Sequence, residues 1–145
     1  MAYTLKIRNQ GVYLHMIVEG DNTAEDVANY LAEGVKKCIE FHCPNVLIEE
    51  NLKGPNLGIF TVYEIITKIC CQAAAAVRRV AYVDVNPESK KEVNQFAETT
   101  AVNRGVNVKL FETVHEAENW FRETILLRRT DFWEPQEPSV QRERA

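Results

Sequence analysis

The run Val46-Leu47-Ile48-Glu49-Glu50-Asn51-Leu52-Lys53-Gly54-Pro55-Asn56-Leu57-Gly58-Ile59-Phe60 joins a buried-type strand to an apolar-striped helix through a Gly/Pro/Asn turn. A strand that passes through such a turn straight into a helix belongs to an α/β sheet. The junction then falls at the carboxyl edge of that sheet, where ligands and partners dock. The residue types it lacks matter as much: it holds no Ser, Cys or His, and its glycines are not spaced to cradle a phosphate. It points to binding or signalling rather than to chemistry.

At 145 residues the chain forms one domain, large enough to bury a core without disulfide or metal staples. Its net charge of −4 argues against nucleic acid as the main partner, because that binding needs a net basic footprint. The Arg78-Arg79 and Arg128-Arg129 pairs are too short to reverse this. The amino terminus has no apolar signal core, and the apolar-rich segment from Ile59 to Val77 is interrupted by Glu64, Lys68 and Gln72, so no membrane span is expected. Four cysteines without a secretory signal read as reduced thiols of a cytoplasmic protein.

Periodicity supplies the elements. Tyr3 to Arg8 alternates with Leu5 and Ile7 on one side, and Val12 to Glu19 follows a short Asn-Gln-Gly turn with Val12, Leu14, Met16 and Val18 on one face, which makes an antiparallel hairpin. Thr23 with Asp26 resembles a capping box ahead of a helix whose inner face is Val27, Leu31, Val35, Cys38 and Ile39. Val46 to Ile48 suits a central strand covered on both faces. A second helix then runs along Val62, Ile66, Ile69, Cys70 and Ala73, continued by alanines to Ala76. Val80 to Val85 is a strand, and Asn86-Pro87 reads as a cap with proline in the first helical position. The third helix is traced by Val93, Phe96, Ala97, Thr100 and Ala101, with Gly105 ending it in a left-handed turn. Val106 to Phe111 is the last strand. Thr113 precedes a fourth helix with Ala117, Trp120, Phe121, Ile125 and Leu126 or Leu127 inward. The order is β-β-α-β-α-β-α-β-α over residues 1–127: a mixed, mostly parallel sheet with an amino-terminal antiparallel hairpin. The tail, 128–145, is aperiodic and charged and reads as mobile, with Phe132 and Trp133 packing back on the domain or meeting a second subunit.

This order, with the Arg79-Val80-Ala81-Tyr82-Val83 strand, the Phe96-Ala97-Glu98 helix segment and the Val108-Lys109-Leu110-Phe111 strand followed by Glu116-Ala117 and Trp120, resembles the STAS domain of bacterial anti-anti-sigma proteins. Within it, the chain is similar to the SpoIIAA-like group. That family carries Asp-Ser-Ser-Gly-Leu-Gly at the strand-to-helix junction, and a partner kinase phosphorylates the first serine. Here Leu57-Gly58-Ile59-Phe60 matches the Leu-Gly and apolar positions, but the serine pair falls on Gly54-Pro55 and Asn56 replaces the glycine. No phosphate switch is available at that point. Thr61, the nearest hydroxyl, lies in the first helical turn, where a buried or back-bonded threonine is the ordinary reading. The resemblance implies a non-enzymatic domain whose surface from Asn51 to Ile65 contacts another protein.

Other residue groups read as structural. Cys38, His42 and Cys43 lack the second ligand pair a zinc site needs, and Cys38 continues the apolar stripe. Cys70 and Cys71 point about 100° apart on a helix, one toward the core and one toward the surface. Asp21, Glu49, Glu50, Asn51, Asp84 and Asn86 gather at strand ends, where a cation or acid/base pair is conceivable. Capping by Asp21 and Asn86, with Glu49 and Glu50 split by strand alternation, is the preferred account. His15 and His115 have no catalytic companions nearby in sequence.

The expectation is therefore a regulatory, protein-interaction module without cofactor or metal. It would be able to form a homodimer and would contact its partner through Asn51, Lys53, Gly54, Asn56, Leu57, Phe60, Thr61, Glu64 and Ile65. The alternative is a small-ligand (lipid or nucleotide) binding protein with a pocket between helix and sheet, walled by Phe60, Tyr63 and Tyr82. An enzyme built on Asp84 and Glu50 ranks last.

Overall fold

The computed structural model describes residues 3–127 other than Glu88, and the backbone alone at Leu126 and Leu127. Phe132, Trp133 and the rest of the tail lie outside the described residues. The elements are β1 (Tyr3–Asn9), β2 (Leu14–Asp21), α1 (Ala24–Glu40), β3 (Asn45–Lys53), α2 (Ile59–Ala73), β4 (Arg79–Asp84), α3 (Lys91–Asn103), β5 (Asn107–Phe111) and α4 (Val114–Phe121). A π-helical extension, Arg122–Leu127, continues α4. The expected order is the observed one.

The five strands lie side by side in chain order, with β1 antiparallel to β2 and every later neighbour parallel. A sheet built stepwise in one direction by right-handed crossovers places all its crossover helices on one face. Accordingly α2 packs between α1 and α3, while α4 covers the opposite face against β3, β4 and β5. Strand alternation sorts the side chains between the two. Leu14, Met16, Val18, Ile48, Leu52 and Val80 join the core under α1, α2 and α3. Leu47, Ala81 and Val83 form a second core with Tyr13, Ala117 and Phe121 under α4.

Local signals explain most boundaries. Thr23 caps α1, its Oγ1 accepting from the Asp26 backbone N–H at 3.2 Å, and Thr113 does the same for α4 from Glu116 at 3.1 Å. After α3, Gly105 takes a φ of +93°, and the Val106 N–H returns to the Ala101 carbonyl at 3.1 Å, closing the helix as anticipated.

Several expectations need correction. Asn86-Pro87 does not open α3; the helix begins at Lys91, after Lys90 as cap, and Asn86 instead bonds across to the Gly54 carbonyl. Asp21 is the last residue of β2, and the cap role belongs to Thr23. Val12 precedes β2 and packs into the α4-side core, not with Leu14. Ile39 is 57% exposed, because the inner stripe of α1 passes instead through Tyr30 and Gly34. Helix α2 stops at Ala73, and the remaining alanines form a turn.

Candidate functional site

Strand β3 is longer than its apolar run implies, and that length creates the site. It extends through Lys53, so Glu49 and Glu50 lie inside the sheet on opposite faces. Glu49 turns to the α4 side, where its Oε1 lies 2.9 Å from His15 Nε2. Glu50 follows Val46 and Ile48 onto the helix side and is only 7% exposed. Its backbone register sets it between Val18 and Asp84.

A carboxylate in such surroundings needs donors, and two tyrosines provide them. Tyr30 of α1 donates its hydroxyl to Glu50 Oε2, and Tyr82 of β4 donates to Oε1. Burial still dominates: it pushes the Glu50 carboxyl up to about 7, against the lowering effect of both phenols and with a further push from Asp84. The phenols are held well above their usual range, chiefly by burial and next by the Glu50 charge.

These three side chains border a cavity of about 160 Å³ between the sheet and its three crossover helices. Its walls are apolar: Met16 and Ile48 from the sheet, Val62, Ile65 and Ile66 from α2, and Val93 from α3 are examples. Among the described residues, the carboxylates in the lining are Glu50 and Glu98, its amides are Asn22, Asn56 and Asn94, and no Lys, Arg or His takes part.

The junction loop beside the cavity is pinned by side-chain amides. Asn22 Nδ2 donates to the Pro55 carbonyl at 3.0 Å, Asn86 Nδ2 to the Gly54 carbonyl at 2.9 Å, and Asn56 Oδ1 accepts from the Lys90 N–H. Gly54 adopts a φ of +102°, a conformation that favours glycine. Asp84 is likewise committed, accepting from Ser89 Oγ, from the Asn86 N–H at 3.0 Å and from Asn94 Nδ2 at 3.1 Å.

The residues anticipated as a contact surface divide into two groups. Asn56, Leu57 and Ile65 line the cavity. Lys53, Phe60 and Glu64 are exposed, Phe60 at 87%, while Asn51, Gly54 and Thr61 are half-buried. Of the three aromatic groups expected to wall a pocket, Tyr82 does so. Phe60 points outward, and Tyr63 is engaged by Arg104, whose guanidinium lies 5.0 Å from the ring centre. Tyr30 was not anticipated. Its place one turn before Gly34 and three residues after Val27 was the available signal.

The cysteines behave as expected of structural thiols. Cys70 is buried and Cys71 exposed; Cys38 and Cys43 are buried, and burial pushes Cys38 up to about 11. His42 is exposed at a φ of +54°. Among the described residues, no group of three or more His, Cys, Asp or Glu is placed to hold a metal ion, and no helix is long and apolar enough to cross a membrane.

No protein-family model matches the chain, and no curated protein matches it. Among solved structures it is similar to the crystal structure of an uncharacterised DUF3478-family protein with a SpoIIAA-like fold from Shewanella loihica PV-4. The identity is 21% and the TM-score 0.48, over 81% of this chain and 92% of that one.

Proposed function

We propose that the domain is a binding protein, not an enzyme, and that its ligand is a small apolar molecule lodged between the sheet and helices α1, α2 and α3. The observation that carries this reading is the cavity of about 160 Å³ with predominantly apolar walls. A void of about 150 Å³ in an otherwise close-packed core is enough to take up a benzene-sized molecule. That size matches one ring or a short chain, which displaces the broader alternative of a lipid or nucleotide. A nucleotide would also need cations for its phosphates, and the described lining residues supply none.

Toluene is a suitable neutral probe. Titrated into the protein, it is expected to shift the methyl resonances of Met16, Val62, Ile66 and Val93 together and saturably, and to raise the unfolding midpoint. Native mass spectrometry of protein taken directly from cells should show a low-mass adduct. A methyl spectrum unchanged at saturating toluene removes the reading.

A second observation supports the protein-interaction reading. The first turn of α2 exposes Ile59 at 49% and Phe60 at 87% beside Tyr63 at 42%, an apolar outcrop at the carboxyl edge of the sheet. In this reading a protein partner, or a second copy of the chain, docks on Phe60, Lys53 and Glu64 over the rigid loop that holds Gly54 and Asn56. Phe60→Asp is expected to abolish the association seen by analytical ultracentrifugation or pull-down. Retention of the complex in that variant removes it.

A further inference from the structure

The polar end of the cavity has a chemical polarity of its own. In the ionised state Glu50 offers about four lone-pair positions, of which the Tyr30 and Tyr82 hydroxyls occupy two. Both phenolic hydrogens are spent on the carboxylate, so the phenol oxygens face any further neighbour as acceptors. What remains is a knot of acceptors with no donor to spare, at one end of an apolar chamber. The carboxylates near Glu50 reinforce this sign: Asp84 on β4 bears on it and α3 contributes Glu98 to the lining. The thiols in the lining, Cys38 from α1 and Cys70 from α2, are held in the neutral form by burial, and the cation acting there, Arg104 beyond α3, bears on Cys70.

Resting on the cavity reading above, we infer that the ligand is a small amine: an apolar body of about one ring whose protonated nitrogen donates to Glu50 and to the Tyr30 and Tyr82 oxygens. An ammonium has three donors and no acceptor, which complements this end of the chamber. Burying a charge pair ordinarily costs more than it returns, because both ions leave water. Here the fold has already dehydrated the carboxylate, and only the ligand's ammonium has to be stripped. A carboxylate or phosphate ligand meets like charge at this end of the chamber, with no cation among the described lining residues to offset it. The cavity therefore discriminates by charge sign as well as by size.

The test compares three probes of one shape, benzylamine, toluene and benzoate, by calorimetry and methyl NMR on the full chain. At about pH 8 benzylamine is expected to bind on the order of tenfold more tightly than toluene, and benzoate more weakly than either, which is the scale of one charge-assisted hydrogen-bond set. Glu50→Gln should bring benzylamine to within about threefold of toluene, both measured on that variant. The wild type provides the same contrast without a substitution, should that variant fail to fold. Glu50 titrates near 7, so the preference for benzylamine should shrink from about pH 8 to about pH 5.5 while toluene binding stays level. Toluene binding with no preference for the amine, or benzoate binding as well as benzylamine, overturns the amine assignment and leaves the cavity reading standing. Failure of toluene and benzylamine alike overturns both.

Discussion

The two faces of the sheet are filled in different ways. On the α4 side, Phe121 stacks on Tyr13 with ring centres 4.8 Å apart, Trp120 tilts against it at 5.2 Å, and Leu47, Ala81 and Val83 complete a compact core. On the other side three helices cover the same strands, border a cavity and bury a carboxylate. Adjacent residues show the contrast at its sharpest: Glu49 reaches the rim of the packed face to meet His15, and Glu50 lies inside the hollow one. Both faces carry a buried core, and the helix-side one also borders a cavity able to accept a guest. The α4 face is thereby given to stability, and the helix-side face to stability and binding together.

That division is broken most directly by truncation. Phe121→Ala removes a fully buried ring from the packed face and is expected to cost about 3–5 kcal/mol in urea unfolding. Ile66→Ala, half-buried beside an existing void, should fall at or below the lower end of the range for such truncations, about 2 kcal/mol. Equal losses at the two sites would show that the helix-side core is as tightly packed as its counterpart.

The buried carboxylate gives the next largest effect, and its sign is set by linkage. Glu50 titrates near 7 in the fold, against 4.5 as its ordinary value. Between these values the native state holds a proton that the unfolded chain has released, so stability falls as pH rises through that window. The contribution is fully present at lower pH and is lost above 7, a difference of about 3 kcal/mol at most. Glu50→Gln should remove this slope and be the more stable protein at about pH 8, with little difference at about pH 4.5. Denaturation at the two pH values measures it, and parallel curves for the two proteins would show that Glu50 does not carry the effect.

Much of this architecture could be read from residue order, and the reasons for the exceptions are physical. Alternation in β1 and β2, the Thr23 cap and the Gly105 turn are local signals, and they held. Asn86-Pro87 failed because a side chain with a tertiary partner, here the Gly54 carbonyl, is not available as a cap. The functional pair failed for a related reason. Glu50 continues the even-numbered face of Val46 and Ile48, so its inward direction was implicit. A buried acid becomes credible only when Tyr30 and Tyr82, from other elements, are seen to meet it. Ile65 lies three residues after Val62 and four before Ile69, so helical spacing sets it beside the inner stripe of α2, and the tertiary arrangement shows the void that it lines.

Enlarging alanines on the two faces sharpens the comparison at a smaller scale. Ala81 is fully buried beneath α4, and Ala81→Leu is expected to overpack that core and cost about 1–3 kcal/mol. Ala97 on α3 borders the cavity, and leucine suits a helix as well as alanine does, to within a few tenths of a kcal/mol. Ala97→Leu should therefore be neutral or stabilising by about 1 kcal/mol as its methyl groups fill empty space, and it should exclude toluene. Were it as damaging as Ala81→Leu, the void would be too shallow to hold a guest.

The smallest expected effect on folding separates the chamber from the outcrop above it. Phe60 contributes almost nothing to the core, so Phe60→Asp should change stability by less than about 0.5 kcal/mol and leave toluene binding intact. What it should change is association, because a charge in the middle of an apolar contact must be dehydrated without a partner. Two outcomes are informative about how the molecule works. If only association is lost, the inside and outside of α2 are independent sites on one helix. If toluene affinity rises or falls along with it, occupancy of the cavity and exposure of Phe60 are coupled through the same helix. Linkage then requires that a partner bound on Phe60 alter ligand affinity by the same factor by which ligand alters the partner's.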